Sequence, residues 1–254
     1  MEERFFHPAY LEKTKELNNI LPYQDEIISC YAEYEGKLKK PDLLGKTVRV
    51  TERQFPQIYM VVSDLSQEAQ IDPPKIYVYE DFYYGMEAKG AGSPRIEIAA
   101  KTIDDFSPMA IKFLLAREIC RIKYGIVKLS RVAEQALQML SKTSLVPGTE
   151  AMVQGLKITY ANWSRTSHYT ADCYGYLTVL DVNICIKTIL ALVLNNLTLV
   201  KQVNVCDYLA QAKDIYLLND TVSRYSQNDE KIPYGPLRIR NLLAFASAYA
   251  YAAD

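Results

Sequence analysis

Histidine is scarce in this sequence, whose 254 residues include only two, His7 and His168. A catalytic zinc site takes three protein ligands with lone pairs and leaves one position open, and histidine is among its commonest ligands. Two histidines so far apart in the chain cannot stand one turn apart on a helix. The composition therefore provides no ordinary pair of zinc-binding histidines.

The sequence also lacks an excess of charge of either sign. It has 29 basic and 30 acidic residues, so its formal net charge is -1. A protein that is drawn to nucleic acid or to an anionic membrane by its overall charge is normally basic. We therefore predict no nucleic-acid partner and no electrostatic attachment to a membrane.

Cysteine pairs and long apolar runs are missing as well. The five cysteines are an odd number without a C-x-x-C pair, which favours reduced thiols and a cytoplasmic protein over a disulfide framework. The first residues lack the basic and then apolar pattern of a signal peptide. The most apolar run, residues 184–200, is interrupted by Lys187, Asn195 and Asn196, so we expect a buried helix there and no membrane span.

What the sequence does contain is a helix that combines a wide apolar face with three charged residues. Ser107 and Pro108 are typical of a helix start, and apolar residues follow at helical spacing. Arg117 and Arg121 stand one turn apart on another side, with Glu118 beside them. Two cations and one anion in so apolar a helix indicate either a solvated stripe or a buried cluster that includes further acids.

The remaining residues predict an α+β, mainly helical protein. Residues 1–45 are expected to form an N-terminal helical segment that ends in a turn at 41–45. Residues 46–130 are expected to form a small sheet and the central helix. Residues 131–254 are expected to form a helical subdomain. No repeat or linker divides the chain, so we predict a single domain over residues 1–254.

Within those parts, the strands and later helices are predicted as follows. Strand patterns are found at 46–50, 75–79 and 95–99, and a turn with three glycines is expected at 85–94. Beyond the central helix, helices are expected at 132–140, 150–163, 165–178, 181–199, 207–220 and 237–251.

This order of segments resembles the gluzincin group of zinc metallopeptidases. The nearest kinds are the CAAX prenyl endopeptidase-like and HtpX-like peptidases, especially their small soluble members, the minigluzincins. The resemblance rests on the order of V-T-E-R-Q-F-P at 50–56, P-K-I-Y at 74–77, the turn and strand at 90–99, W-S-R-T-S-H-Y-T-A-D at 163–172 and P-Y-G-P-L-R-I at 233–239. It implies a zincin-like fold in which a small sheet packs on the central helix.

The metal-binding motifs of that family are altered in this chain. The family's H-E-x-x-H falls on R-E-I-C-R, so Arg117 and Arg121 occupy both histidine positions. The family's E-x-x-x-D falls on H-Y-T-A-D, so His168 occupies the position of the third ligand. Glu118 remains at the general-base position, and Asp172 remains where relatives orient a metal-binding histidine.

Arginine cannot take over the work of these ligands. A guanidinium has donors only and stays protonated, so it has no lone pair to offer a metal. We therefore expect no zinc, although zinc is the family's cofactor. A substitute set of His168, Cys120, Glu118 and Asp172 is an alternative, but Cys120 leans away from the side that carries the two arginines.

The resemblance suggests that fixed positive charge replaces the metal ion. Arg117 is then expected to reach Asp172, and Arg121 to reach Glu118 or a carbonyl group. The alternative is that these pairs only fill a relic site and bind no ligand.

The family also binds an extended substrate along an exposed edge strand. The matching strand is 95–99, with Arg95 and Glu97, and the two arginines of the central helix would suit a carboxylate. The alternative is an ordinary sheet edge guarded by charges.

Together these observations predict an inactive metallopeptidase homologue, or pseudopeptidase, that binds a peptide or protein. One alternative is an active metallopeptidase with atypical ligands around His168. The other is a structural or assembly protein that uses the apolar surface of residues 184–199.

Overall fold

The computed structural model describes residues 4–21, 24–142, 148–218, 220, 223 and 230–252. Over these residues the chain is mainly helical and includes one small mixed sheet, which agrees with the predicted α+β class.

The elements run in the following order. The helices are α1 (Tyr10–Ile20), α2 (Gln24–Lys46), α3 (Pro56–Ala69), α4 (Ala100–Asp105), α5 (Pro108–Lys123), α6 (Ile126–Lys142), α7 (Thr149–Val179), α8 (Val182–Leu194), α9 (Leu197–Val200), α10 (Val205–Leu217) and α11 (Gly235–Tyr251). The strands are β1 (Thr47–Arg49), β2 (Lys75–Tyr79), β3 (Met86–Lys89) and β4 (Arg95–Ala99).

The sheet has the strand order β1-β2-β4-β3. β2 and β4 are parallel, whereas β1 and β3 pair antiparallel with their neighbours. β4 forms at the residues predicted for it, but its predicted place at the edge of the sheet is wrong, because β3 covers it. β3 is a short strand that forms between glycines, within the segment for which the sequence predicts a turn. Gly85 precedes β3, and Gly90, with a φ of 98°, begins the turn to β4.

One predicted boundary in the first half of the chain is also wrong. The turn expected at 41–45 is helical, because α2 continues through Pro41 to Lys46. The fixed φ of proline is compatible with a helix, so α2 gives up a hydrogen bond there without ending. The limit expected after residue 130 falls inside α6, and the division of the chain into three parts stays a prediction.

The two helices predicted at 150–163 and 165–178 are one continuous helix, α7. Its middle is anchored by Trp163, whose buried indole N–H donates to the hydroxyl of Thr14 on α1 over 3.1 Å. The helix predicted at 181–199 instead ends at Leu194, because Asn195 adopts a left-handed φ of 50°. Among the described residues, no helix has both the length and the apolar character needed to cross a membrane.

Helix α5 lies at the centre of the fold. Ser107 caps its first turn by accepting a hydrogen bond from the Ala110 N–H, and Pro108 occupies the first helical position, as predicted. Its apolar side chains belong to the same core cluster as Ile96 and Ile98 of β4, which are fully buried. Eleven residues of the helix are buried, including Arg117, Glu118 and Arg121. The solvated-stripe interpretation is therefore wrong.

Helices α5 and α7 approach each other closely at Gly175. A Cβ atom at this position would lie 2.8 Å from Cδ2 of Phe113 and 2.9 Å from Cγ of Arg117. Those distances are shorter than van der Waals contact, so only glycine allows the two helices to pack as they do. The contact also sets the position of Arg117, the first charged residue of the cluster described below.

We expect Gly175→Ala to destabilise the protein by about 1–3 kcal/mol, the usual cost of forcing extra atoms into a packed core. Gly155→Ala is the matched control, because Gly155 lies on the same helix with open space around it. Replacing an exposed helical glycine by alanine normally stabilises by about 0.5–1 kcal/mol. Urea unfolding of both variants measures the difference. Equal changes in the free energy of unfolding would show that the two helices are not in close contact.

Candidate functional site

The candidate site is a cluster of charged side chains between α5 and α7. Arg117, Glu118 and Arg121 come from α5, and Asp172 comes from α7. Each has 7% or less of its surface exposed. The structure therefore brings these four sequence-predicted residues together.

Asp172 is the centre of the cluster and is fully buried. It accepts a hydrogen bond from Nε of Arg117 over 2.5 Å, as the sequence predicts. It also accepts two from Arg238 of α11, from Nε over 2.9 Å and from Nη2 over 2.8 Å. Burial alone would raise the pKa of Asp172, but the guanidinium groups of Arg238 and Arg117 outweigh it and hold this pKa below its ordinary value.

Arg238 is the functional residue that the sequence interpretation missed. It has 6% of its surface exposed and forms a two-point contact with Asp172 that resembles the fork pairing of arginine with carboxylates. The signal for it in the sequence is the segment P-Y-G-P-L-R-I. An arginine between apolar residues at the start of a helix indicates a buried cation, which needs an acidic partner.

Glu118 links α5 to the edge of the sheet. Its Oε2 atom accepts hydrogen bonds from Nη1 of Arg121 and from the backbone N–H of Ala88 on β3, both over 2.8 Å. The contact to Arg121 is the predicted one. Nη1 of Arg117 lies 3.6 Å from the other carboxylate oxygen of Glu118. Oε2 of Glu118 is therefore occupied by contacts within the protein.

His168 lies beside the cluster and is partly exposed. Its Nδ1 atom is 3.4 Å from Nη2 of Arg117. Because a guanidinium only donates, Nδ1 must be the acceptor, and the ring proton of the neutral form is then on Nε2. Removal from water, followed by the positive charges of Arg121, Arg117 and Arg238, holds the pKa of His168 well below its ordinary value.

Arg95 and Glu97, the other sequence-predicted site residues, lie elsewhere. They alternate along β4 with the buried Ile96 and Ile98, so their side chains are on the sheet face that points away from α5. Glu97 accepts from Arg95 over 2.8 Å and from Lys89 over 2.7 Å. The prediction that they lie on the exposed edge strand is wrong, because β4 is an inner strand of the sheet. A role for them in binding stays a prediction.

The residues of the cluster do not fit a zinc ion. Across the described ranges, no group of three His, Cys, Asp or Glu side chains converges where a metal could be held. Cys120, considered as a substitute ligand, packs instead with Phe5 and Cys173. Two of the relic ligand positions carry arginine, which has no lone pair for a metal. The absence of zinc from the protein itself stays a prediction.

A cavity of about 650 Å³ adjoins the cluster. The side chains of Arg117, Glu118, Arg121, His168 and Arg238 are among those that line it, and the part of the cavity next to them is called its buried end below. Residues 85–88, which include most of β3, form part of its wall, and α8 contributes Leu192 and Val193. The cavity therefore connects the charged cluster with the edge of the sheet.

Comparison with known proteins gives a partial similarity. Over 102 residues the chain is 24% identical to a protein of Streptococcus gordonii (strain Challis) that is described as a protease HtpX homolog. The matched segment covers 39% of this chain and 34% of that relative, so the chain spans about a third of the length of the curated protein it matches. No protein-family model matches the chain, and no solved structure matches it significantly. The similarity is therefore to part of a protein described as a protease.

The cluster predicts a strong response to removing one of its charges. We expect Arg117→Ala to lower the free energy of unfolding by about 3–5 kcal/mol, because it leaves part of a buried ion pair without its partner. Lys187→Ala, which removes an exposed cation from α8, should change it by no more than about 0.5 kcal/mol. Chemical denaturation of the two variants checks this. A small effect at Arg117 would contradict the buried pairing with Asp172.

Proposed function

We propose that this protein is a non-catalytic relative of gluzincin peptidases, with a zincin-like fold, that binds an extended peptide instead of cleaving it. The observation that carries the proposal is the burial of Arg117 and Arg121 at the two histidine positions of the family motif, each paired with a carboxylate. The partial similarity to a protease HtpX homolog supports the same relation.

The loss of hydrolysis is argued from the chemistry of the side chains. A metallopeptidase uses a metal-bound water and a carboxylate that takes its proton. Here the candidate carboxylate, Glu118, already accepts from Arg121 and from the backbone of β3. The arginines beside it cannot ligate a metal. Catalysis with atypical ligands around His168 has no support in the geometry, because the ring nitrogen Nδ1 contacts Arg117.

Peptide binding is argued from the free edge of β3. The hydrogen bond from the Ala99 N–H to the Gly85 carbonyl shows that odd-numbered residues of this segment pair with β4. The backbone groups of Met86 and Ala88 therefore point away from the sheet. Among the described residues, only the Ala88 N–H has a partner, which is Glu118. The N–H and C=O of Met86 and the C=O of Ala88 can pair with an added strand.

The third interpretation, an assembly protein that uses residues 184–199, has less support. Half of the apolar side chains of α8 are buried within this chain, namely Cys185, Ile186, Ile189, Leu190 and Ala191. This half of the apolar surface already belongs to the protein's own core. The single-domain organisation and the cytoplasmic location remain part of our proposal.

The relation to zinc peptidases can be tested by restoring the ligands. Purified wild-type protein should contain no stoichiometric zinc and should cleave no peptide. The variant Arg117→His, Arg121→His, His168→Glu should bind zinc, because it restores two imidazoles one helical turn apart and a carboxylate from α7. Asp172 can then fix the orientation of one histidine. Calorimetry and thermal unfolding with and without zinc measure the binding, since a ligand of the native state raises its stability.

One equivalent of chelatable zinc in the wild-type protein, together with peptidase activity, would refute the proposal. A folded triple variant that binds no zinc would refute the zincin-like placement of α5 and α7.

The edge-strand proposal predicts a specific effect of proline. Peptides selected from a random heptapeptide phage library on the wild-type protein should lose affinity for Met86→Pro, because proline removes the outward N–H of β3 but no bond to β4. Loss of one backbone hydrogen bond should weaken binding about tenfold. Met86→Ala is the matched control, since it removes the same side chain and keeps the N–H.

Fluorescence anisotropy of the synthesised peptides measures all three affinities. If both variants bind alike, or if the library yields no peptide, the edge of β3 is not the docking strand.

A further inference from the structure

The buried end of the cavity carries more positive than negative charge. Three guanidinium groups, those of Arg117, Arg121 and Arg238, are packed with two carboxylates, those of Glu118 and Asp172. His168 adds no charge, because its pKa is held well below the ordinary value. Charge taken out of water is costly unless it is paired. The cluster as it stands therefore lacks one negative charge.

The unmatched charge is located at Arg121. Arg117 and Arg238 share Asp172, which accepts three hydrogen bonds. Among the described residues Arg121 makes a single hydrogen bond, to Glu118, and that carboxylate oxygen is shared with the Ala88 N–H. Nε of Arg121 is buried and has no acceptor within the same residues. A buried donor of a charged group without a partner is strongly unfavourable.

A second donor without an acceptor among the described residues lines the same cavity. Since Nδ1 of His168 accepts from Arg117, the ring proton is on Nε2, and no described residue accepts it. This donor belongs to a partly exposed side chain, whereas Nε of Arg121 is buried. Both Arg121 and His168 line the cavity, so one buried unmatched donor, a second donor and one surplus positive charge are found on the wall of one cavity.

The other groups around Arg121 do not supply the missing anion. Burial raises the pKa of the Cys120 thiol and that of the Tyr160 hydroxyl, so both stay neutral. Glu134, an acid of α6 that lines the cavity, already pairs with Arg131 over 2.9 Å and with Lys231 over 3.4 Å. Among the described residues, no group supplies an acceptor to Nε of Arg121.

We propose that the buried end of the cavity is an anion site that binds a carboxylate through Arg121 and His168. A carboxylate brings one negative charge, which matches the surplus, and its two oxygens can accept from two neighbouring donors. A phosphate dianion would overcompensate the charge.

The cavity is much larger than a carboxylate, so the bound group belongs to a larger molecule. Here the inference rests on the proposed function, because it takes that molecule to be the peptide paired with β3. The Ala88 N–H is closed by Glu118, so a strand that pairs with Met86 meets the cluster about two residues, or roughly 7 Å, further along. A peptide that ends there presents its C-terminal carboxylate.

The two histidines allow a direct test. In protein labelled with ¹⁵N in its histidine side chains, only His7 and His168 give imidazole signals. His168 lines the cavity, and His7 does not, so His7 is an internal control. The probes are N-acetyl-alanyl-alanine, its C-terminal amide, acetate and inorganic phosphate, titrated at constant ionic strength. We expect the free acid to shift the His168 signals saturably and to bind about tenfold or more tightly than the amide.

Two variants test whether Arg121 is the residue that binds the carboxylate. Arg121→Gln should abolish the shift at His168, whereas Lys231→Gln, which removes a cation elsewhere on the cavity wall, should change the affinity by no more than about twofold. An unchanged His7 signal reports that the variant is folded. If Arg121→Gln does not fold, the comparison of acid with amide in the wild-type protein still decides.

The outcomes separate the two proposals. Acetate that binds as tightly as the dipeptide acid supports the anion site and identifies a small free carboxylate as its ligand. Equal binding of acid and amide, tighter binding of phosphate, or no shift at His168 with any probe overturns the carboxylate site. None of these results affects peptide pairing with β3, which the variants of Met86 test independently.

Discussion

The candidate site depends on one fully buried carboxylate, that of Asp172. This side chain on α7 accepts from Arg117 on α5 and from Arg238 on α11, so a single group joins three helices that are far apart in the sequence. Removing one partner of such a buried group is costly, because the remaining charge is left buried and unpaired. The packing of α11 against α7 and the orientation of the Arg117 side chain therefore both depend on Asp172.

A buried ion network of this size is hard to explain by stability alone. Replacing such a network by apolar residues of similar volume is often neutral or stabilising, because the desolvation of the charges offsets their attraction. A core gains little stability from five charged side chains whose charges do not balance. It gains little from a donor of Arg121 that has no acceptor among the described residues. The same arrangement suits a site that binds an anion. The surplus charge is thus better explained by a ligand than by the fold.

The sequence predicts much of this site because the relevant signals are local. The Ser107-Pro108 start defines α5, and the spacing of Arg117 from Glu118 and Arg121 is a property of one helix. The pairing of Arg117 with Asp172 required the resemblance to a family, since helical spacing cannot relate two separate helices.

The sequence analysis predicts neither Arg238 as a residue of the site nor β3 as a strand, and the reasons differ. Arg238 lies 66 residues from its partner, and no local pattern connects them. β3 has four residues next to glycines, so it resembles a turn. This one short strand removes Arg95 and Glu97 from the edge of the sheet, because it turns β4 into an inner strand. The largest correction to the predicted site therefore comes from the element with the weakest local signal.

The charge balance and the free edge of the sheet meet at one atom, Oε2 of Glu118. That oxygen accepts from Arg121, which carries the surplus charge, and from the Ala88 N–H, which closes the edge of β3. An anion that accepts from the unmatched Nε of Arg121 can leave both contacts of this oxygen in place, because Glu118 accepts from Nη1. The Ala88 N–H then stays closed, so the proposed carboxylate site and the proposed docking edge lie on two sides of Glu118 and use different donors.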